Sequence, residues 1–141
     1  MTDSAVEAPC IYPTFRYRDA KKMIDWLQNA FGFTLRARYG EGDEVHHAEL
    51  ALGSSIIMIG QVRDDKFGSM VGEPGGSGGK SIYIAVRDAD VAFEKARAAG
   101  AVILEGPVDR EYGSREFICR DPEGNVWCFG TYWPKVGQKP L

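Results

Sequence analysis

Apolar and polar positions along the chain change period in a set order, and that order occurs twice. Near residues 12–17 and 81–86, apolar and polar side chains alternate, the period of a half-buried strand. An aspartate follows each run, Asp19 or Asp88, at the place of a helix N-cap. There a carboxylate accepts from unpaired backbone N–H groups and complements the helix dipole. The spacing then becomes helical. Ala20, Met23, Ile24, Leu27 and Phe31 fall on one face of the first helix, and Ala89, Ala92, Phe93, Ala96 and Gly100 take the same offsets in the second. Gly32 and Gly100 predict the two helix ends.

Three strand-like runs follow each helix. In the first copy they are Thr34–Tyr39, Val45–Ala51 and Ser55–Ile59, separated by turn signals at Gly40-Glu41-Gly42-Asp43 and Gly53-Ser54. In the second they are Ala101–Glu105, Arg115–Arg120 and Val126–Tyr132, the last two joined by Asp121-Pro122-Glu123-Gly124-Asn125. The pattern predicts an α+β protein of two tandem βαβββ modules, residues 11–60 and 80–133, whose curled mixed sheets surround a cleft. A chain of 141 residues suits one domain built from both modules. Residues 61–79, with Gly72-Glu73-Pro74-Gly75-Gly76-Ser77-Gly78-Gly79, have the composition of a connector. A stretch of that length also suits a lid, or lets one module reach a second chain.

Alternation assigns side chains to faces. Phe15, Tyr17, Ala48, Leu50, Leu52, Ile57, Ile59, Ile82, Ile84, Val86, Trp127 and Phe129 are predicted to pack toward the helices. The opposite face then carries Tyr12, Thr14, Arg16, His47, Glu49, Ile56, Met58, Ser81, Tyr83 and Cys128. Aromatic, thioether and a few convergent polar groups make a pocket wall; a bare outer surface would carry Lys and Glu. These ten residues are the candidate ligand-binding set. A face filled by its own side chains, serving a partner module without catalysis, is the competing reading.

Charge and composition narrow the function. The net charge is −3 and its signs are interspersed, with no basic stripe interleaved with aromatics, which argues against nucleic acid as a partner. No apolar run reaches membrane-spanning length, and Met1-Thr2-Asp3-Ser4 lacks a secretory pattern, which predicts a cytoplasmic protein. Cys10, Cys119 and Cys128 are an odd set without metal-type spacing, so reduced thiols are expected.

The chain resembles the vicinal oxygen chelate superfamily of glyoxalase I, bleomycin-resistance proteins, extradiol dioxygenases and fosfomycin-resistance enzymes. The resemblance runs from Ile11 to Pro134 and rests on Tyr17-Arg18-Asp19-Ala20, Phe31-Gly32-Phe33, His47-Ala48-Glu49-Leu50, Val86-Arg87-Asp88-Ala89 and Asp121-Pro122-Glu123-Gly124-Asn125 in that order. Metal-dependent relatives take four ligands, usually His, Gln or Glu, from the first and last strands of both modules. The matching positions here are Tyr12, Met58, Ser81 and Cys128. A phenol, a thioether, a hydroxyl and a thiol do not supply the donors that a divalent ion with open positions needs. The resemblance therefore implies the metal-free, ligand-sequestering branch similar to bleomycin-resistance proteins, with no cofactor. It also implies a homodimer, since family members commonly pair and sheet edges invite it.

The expected function is binding of a small, partly apolar molecule, either as sequestration or with metal-independent chemistry. The alternative is a metal-dependent lyase, isomerase or dioxygenase that recruits His47, Glu49 and Cys128. His46 and His47 are adjacent, so in a strand they point to opposite faces; His47 and Glu49 share a face about 7 Å apart. That pair is the candidate general base or donor holder, a structural pair being the alternative. In glutathione-using relatives an arginine at the place of Arg16 contacts a substrate carboxylate, so Arg16 is either an anion clamp or a partner of Glu49 or another acid. Tyr12, Tyr83, Met58 and Ile56 suit a planar or apolar ligand. Trp26 and Trp133 are assigned to packing or dimer contact, Asp19 and Asp88 to caps, and Gly124 to a turn.

Overall fold

The computed structural model describes residues 9–75 and 78–139. Met1-Thr2-Asp3-Ser4 and Gly76-Ser77 lie outside the described residues. The elements run β1 (Thr14–Tyr17), α1 (Ala20–Phe31), β2 (Thr34–Tyr39), β3 (His47–Leu52), β4 (Ser55–Gln61), α2 (Lys66–Val71), β5 (Ile82–Ala85), α3 (Ala89–Ala98), β6 (Val102–Asp109), β7 (Arg115–Arg120) and β8 (Val126–Gly130). Two four-stranded mixed sheets result, ordered β1-β4-β3-β2 and β5-β8-β7-β6. The βαβββ order is thus present twice in an α+β fold, with α2 between the copies. Two compact units divide the chain: one runs through β4 and α2 to Glu73, and the other runs from Pro74 and takes in Asn29–Phe31.

In the first unit, Asp19 caps α1 by accepting from Lys22 N at 3.1 Å. Gly32, at φ 87°, closes the helix in the left-handed region that a side chain would strain. Tyr17, Ala20, Met23, Leu27, Ala48, Leu50, Ile57 and Ile59 are buried, as their spacing predicts. Each large apolar side chain removed from water contributes roughly 1.5–3 kcal/mol. The strand register sets the other face. Thr14 is opposite Met58 in the parallel β1–β4 ladder, and Met58 is opposite Glu49 in the antiparallel β3–β4 ladder, so these three make one row across the sheet. Arg16 pairs with Gly60 in register, two positions along.

In the second unit, Asp88 caps α3 by accepting from Asp90 N and Val91 N at 3.0 and 3.1 Å. The core is aromatic. Phe117 and Phe129 stack with centroids 4.7 Å apart, Phe93 meets Phe117 edge-on at 5.4 Å, and Phe31 meets Trp127 and Phe129 at 5.0 and 4.8 Å. The Asp121–Asn125 turn is tied by one buried carboxylate. Asp121 accepts from Glu123 N, Asn125 N, Asn125 Nδ2 and the Trp127 indole at 2.9–3.1 Å.

Several boundaries differ from those the pattern predicts. Tyr12 precedes β1, which starts after Pro13, a residue without an N–H for a ladder. β6 continues to Asp109 through two register shifts on either side of Glu105, so Gly106-Pro107 marks an irregularity within a strand and not its end. The connector 61–79 contains ordered structure: β4 reaches Gln61, and α2 forms where the Asp65 carboxylate accepts from Gly68 N at 2.7 Å. Among the described residues no helix is long and apolar enough to cross a membrane.

Candidate functional site

The non-helix face of the first sheet borders a cavity of about 250 Å³. Thr14 and Arg16 from β1, His47 from β3 and Met58 from β4 reach it, so four of the ten candidate residues meet in one place. Phe15, Ile59 and Gly60 of the same strands also border it, although alternation places Phe15 and Ile59 on the helix-facing side. At Gly60 the space is tight, because a Cβ would stand 3.0 Å from the His46 carbonyl oxygen.

His46 also borders the cavity. β3 begins at His47, so strand alternation does not govern the residue before it. The remaining wall comes from Arg63, Phe67 and Val71 of the connector, which alternation in the strands could not reveal. The available signal was Asp65 at a cap position, followed by apolar residues 67, 70 and 71 at helical spacing.

His47 and Glu49 interact. Nε2 of His47 lies 3.0 Å from Glu49 Oε2, the Tyr39 ring stacks on the imidazole at 5.9 Å, and Arg36 donates to the other carboxylate oxygen at 2.5 Å. The His47 hydrogen bond and the Arg36 charge hold the Glu49 carboxyl below its ordinary value. A carboxylate there favours the imidazole tautomer protonated on Nε2. Glu49 itself does not line the cavity; it orients His47, which does.

Arg16 is nearly buried, its side chain only 11% exposed, and its acidic partner is Asp65. Its two terminal nitrogens donate to the two Asp65 oxygens at 3.2 and 3.1 Å, and its guanidinium carbon lies 5.1 Å from the Phe67 ring centroid. Arg63 Nε approaches Asp65 Oδ2 at 3.5 Å. The Arg16 hydrogen bonds and the Gly68 N–H pull the Asp65 carboxyl down to about 2. Two arginines therefore share one carboxylate at the rim, beside the apolar surfaces of Met58, Ile59, Phe67 and Val71. Such a rim takes up anionic or hydrogen-bonding groups, and such a wall takes up apolar ones.

The other candidates lie elsewhere. Tyr12 donates from its hydroxyl to Pro9 O at 2.7 Å, and Ile56 is half-buried in β4; neither borders this cavity. In the second unit, Tyr83 pairs with Cys128 in register and donates to Tyr132 O at 2.7 Å. Burial raises both the Tyr83 and Cys128 groups, while a hydrogen bond between Ser81 and Cys128 pulls the thiol the other way.

Alternation in β7 did not draw attention to Glu116, a nearly buried carboxylate. It accepts from Arg110 Nε at 3.0 Å and the Tyr112 hydroxyl at 2.7 Å. Burial opposes its ionisation, but donation from Tyr112, Arg110 and Ser114 outweighs that and keeps the carboxyl below its ordinary value. Gly130 makes this cluster possible, since a Cβ would stand 2.4 Å from the Tyr83 hydroxyl and 2.8 Å from Glu116 Cγ. A second concavity in this unit, lined by Val86, Arg87, Thr131, Trp133 and Lys135, includes none of the ten candidates.

A metal is tested by donor chemistry. The first unit offers Tyr12 and Met58 at the positions matching family ligands, and the second offers Ser81 and Cys128, a thiol that burial keeps protonated. These residues do not fit a catalytic divalent ion, which takes imidazole and carboxylate donors.

Residues 11–129 match the family model described as the Glyoxalase/Bleomycin resistance protein/Dioxygenase superfamily. An uncharacterized protein of Mycobacterium bovis is 28% identical over 125 residues, covering 86% of this chain and 82% of that protein. The crystal structure of TioX from Micromonospora sp. ML1 aligns with a TM-score of 0.69 and 31% identity, covering 86% of this chain and 98% of TioX. A glyoxalase/bleomycin resistance protein/dioxygenase family enzyme from Burkholderia phytofirmans shares the fold, with a TM-score of 0.68 at 23% identity over 84% of this chain and 94% of that one. The duplicated βαβββ order, the four-stranded mixed sheet in each unit and the matched span agree: this chain belongs to the glyoxalase/bleomycin resistance protein/dioxygenase superfamily.

Proposed function

We propose that the protein reversibly binds a small, partly apolar molecule in the first-unit cavity, without a metal, and works as a cytoplasmic homodimer. One observation carries this reading: a single cavity joins Met58, Phe67 and Val71 to the cationic rim of Arg16 and Arg63. Apolar contact supplies affinity and the rim supplies orientation. The donor set at the family's ligand positions supports metal-independent binding, and the imidazole of His47, held by Glu49, supplies a hydrogen-bonding group at the wall.

Native mass spectrometry of freshly expressed protein tests the ligand, the metal and the pairing together. The expected spectrum is a pair of chains carrying a small organic adduct and no stoichiometric metal. Met58→Trp fills the cavity and is expected to lower adduct occupancy at least tenfold. Bound nickel, zinc or iron with activity that a chelator abolishes would replace this reading with a metal-dependent lyase, isomerase or dioxygenase.

A further inference from the structure

The α2 helix is attached in an unusual way. None of its residues is buried, and Phe67, Met70 and Val71 are 48%, 67% and 49% exposed, although Phe67 and Val71 form cavity wall. A helix of one or two turns is not stable by itself in water, so its tether decides whether it stays formed. That tether is ionic. Asp65 Oδ1 accepts from Gly68 N, capping the helix, and also from Arg16 Nη1, while Oδ2 holds Arg16 Nη2. The Arg16 guanidinium, fixed on β1, thus grips the first turn of α2 and lies over its Phe67 ring.

A carboxylate arriving in the cavity is the same chemical group that Arg16 already holds. Exchange would preserve the two charge-assisted hydrogen bonds on Arg16. Asp65 would retain its cap to Gly68 N and has Arg63 Nε 3.5 Å away as a replacement cation. The swap therefore costs little charge pairing, but it cuts the ionic link between β1 and α2 and leaves only the contact of Arg16 with the Phe67 ring.

We propose that Lys66–Val71 is a gate over the cavity, latched by Asp65 on Arg16, and that a ligand bearing a carboxylate opens it by taking Arg16 from Asp65. The inference rests on the cavity being a binding site, yet the latch is measurable without any ligand.

Amide hydrogen exchange at Ser69 and Gly72 reports the helix, since these N–H groups donate to Asp65 O and Gly68 O at 3.1 and 3.0 Å. Asp65→Asn keeps a capping side chain of equal quality and removes the charge. In ligand-free protein it is expected to speed exchange at Ser69 and Gly72 at least fivefold while β4 amides stay as they were. Unchanged exchange overturns the latch, whatever becomes of the cavity. With the parent protein, saturating 2-naphthoate is expected to speed the same amides and the neutral 2-naphthamide to leave them protected. Asp65→Asn should also bind 2-naphthoate several-fold more tightly, its internal competitor being gone. Equal effects of the acid and the amide, or no effect of 2-naphthoate, overturn opening by a carboxylate. If Met58→Trp leaves adduct occupancy intact while Asp65→Asn still loosens α2, the cavity reading has failed and the latch stands.

Discussion

The indole nitrogen of Trp127 donates to Asp121 across 3.0 Å, and both residues are buried. This bond joins the Asp121–Asn125 turn to the aromatic core of the second unit, where Trp127 packs against Phe31. Asp121→Ala would leave the indole N–H and two backbone N–H groups of the turn without their acceptor. A buried donor left unmade costs about 1–3 kcal/mol, so the variant is expected to lose roughly 3 kcal/mol of stability. Urea unfolding followed by tryptophan fluorescence measures it, and a loss under 1 kcal/mol would show that the turn is held by other means.

Acid should release α2 without unfolding the sheets. Asp65 has a folded value of about 2, set first by Arg16 and then by the Gly68 N–H, against about 3.9 when unfolded. A lowered carboxylate contributes stability that is complete above the unfolded value and disappears as pH falls through the folded one, so the window lies between about 4 and 2. Carboxyl-detected NMR titration is expected to find Asp65 near the lower end, and Arg16→Gln should move its midpoint upward. A midpoint that ignores Arg16→Gln would mean that the ion pair does not form in solution.

Thiol chemistry separates the three cysteines. Burial pushes the Cys119 thiol up to about 12 and raises Cys128 as well, whereas Cys10 is exposed. The thiolate is the reactive form, so Ellman's reagent at pH 8 should consume Cys10 rapidly and Cys119 only after denaturation. Rapid reaction of Cys119 in folded protein, checked with Cys10→Ser, would show that β7 opens readily.

Much of the architecture was readable because burial follows period. Ala48 and Leu50, Ile57 and Ile59, Trp127 and Phe129 are buried as their alternation predicts, and Asp19 and Asp88 cap their helices. The same alternation put Thr14, Arg16, His47 and Met58 on one face, and they meet at the cavity. It could not reach Tyr12, which lies before β1, or separate Ile56 from Met58, whose shared face extends beyond the cavity. In the connector the glycines that follow Val71 dominate the composition, so they mask the short helical window of the Asp65 cap with Phe67, Met70 and Val71.

The order of residues alone determined two βαβββ copies, their inner and outer faces and which side-chain types stand at the positions that match family ligands, because these depend on local periodicity and on side-chain type. Only the tertiary structure decided that Arg16 holds Asp65, that α2 supplies a wall of the cavity, and that Glu116 is buried among Arg110, Tyr112 and Ser114. Those pairings join residues from different elements, and a charge carries no mark in sequence of which opposite charge the folded backbone will bring beside it.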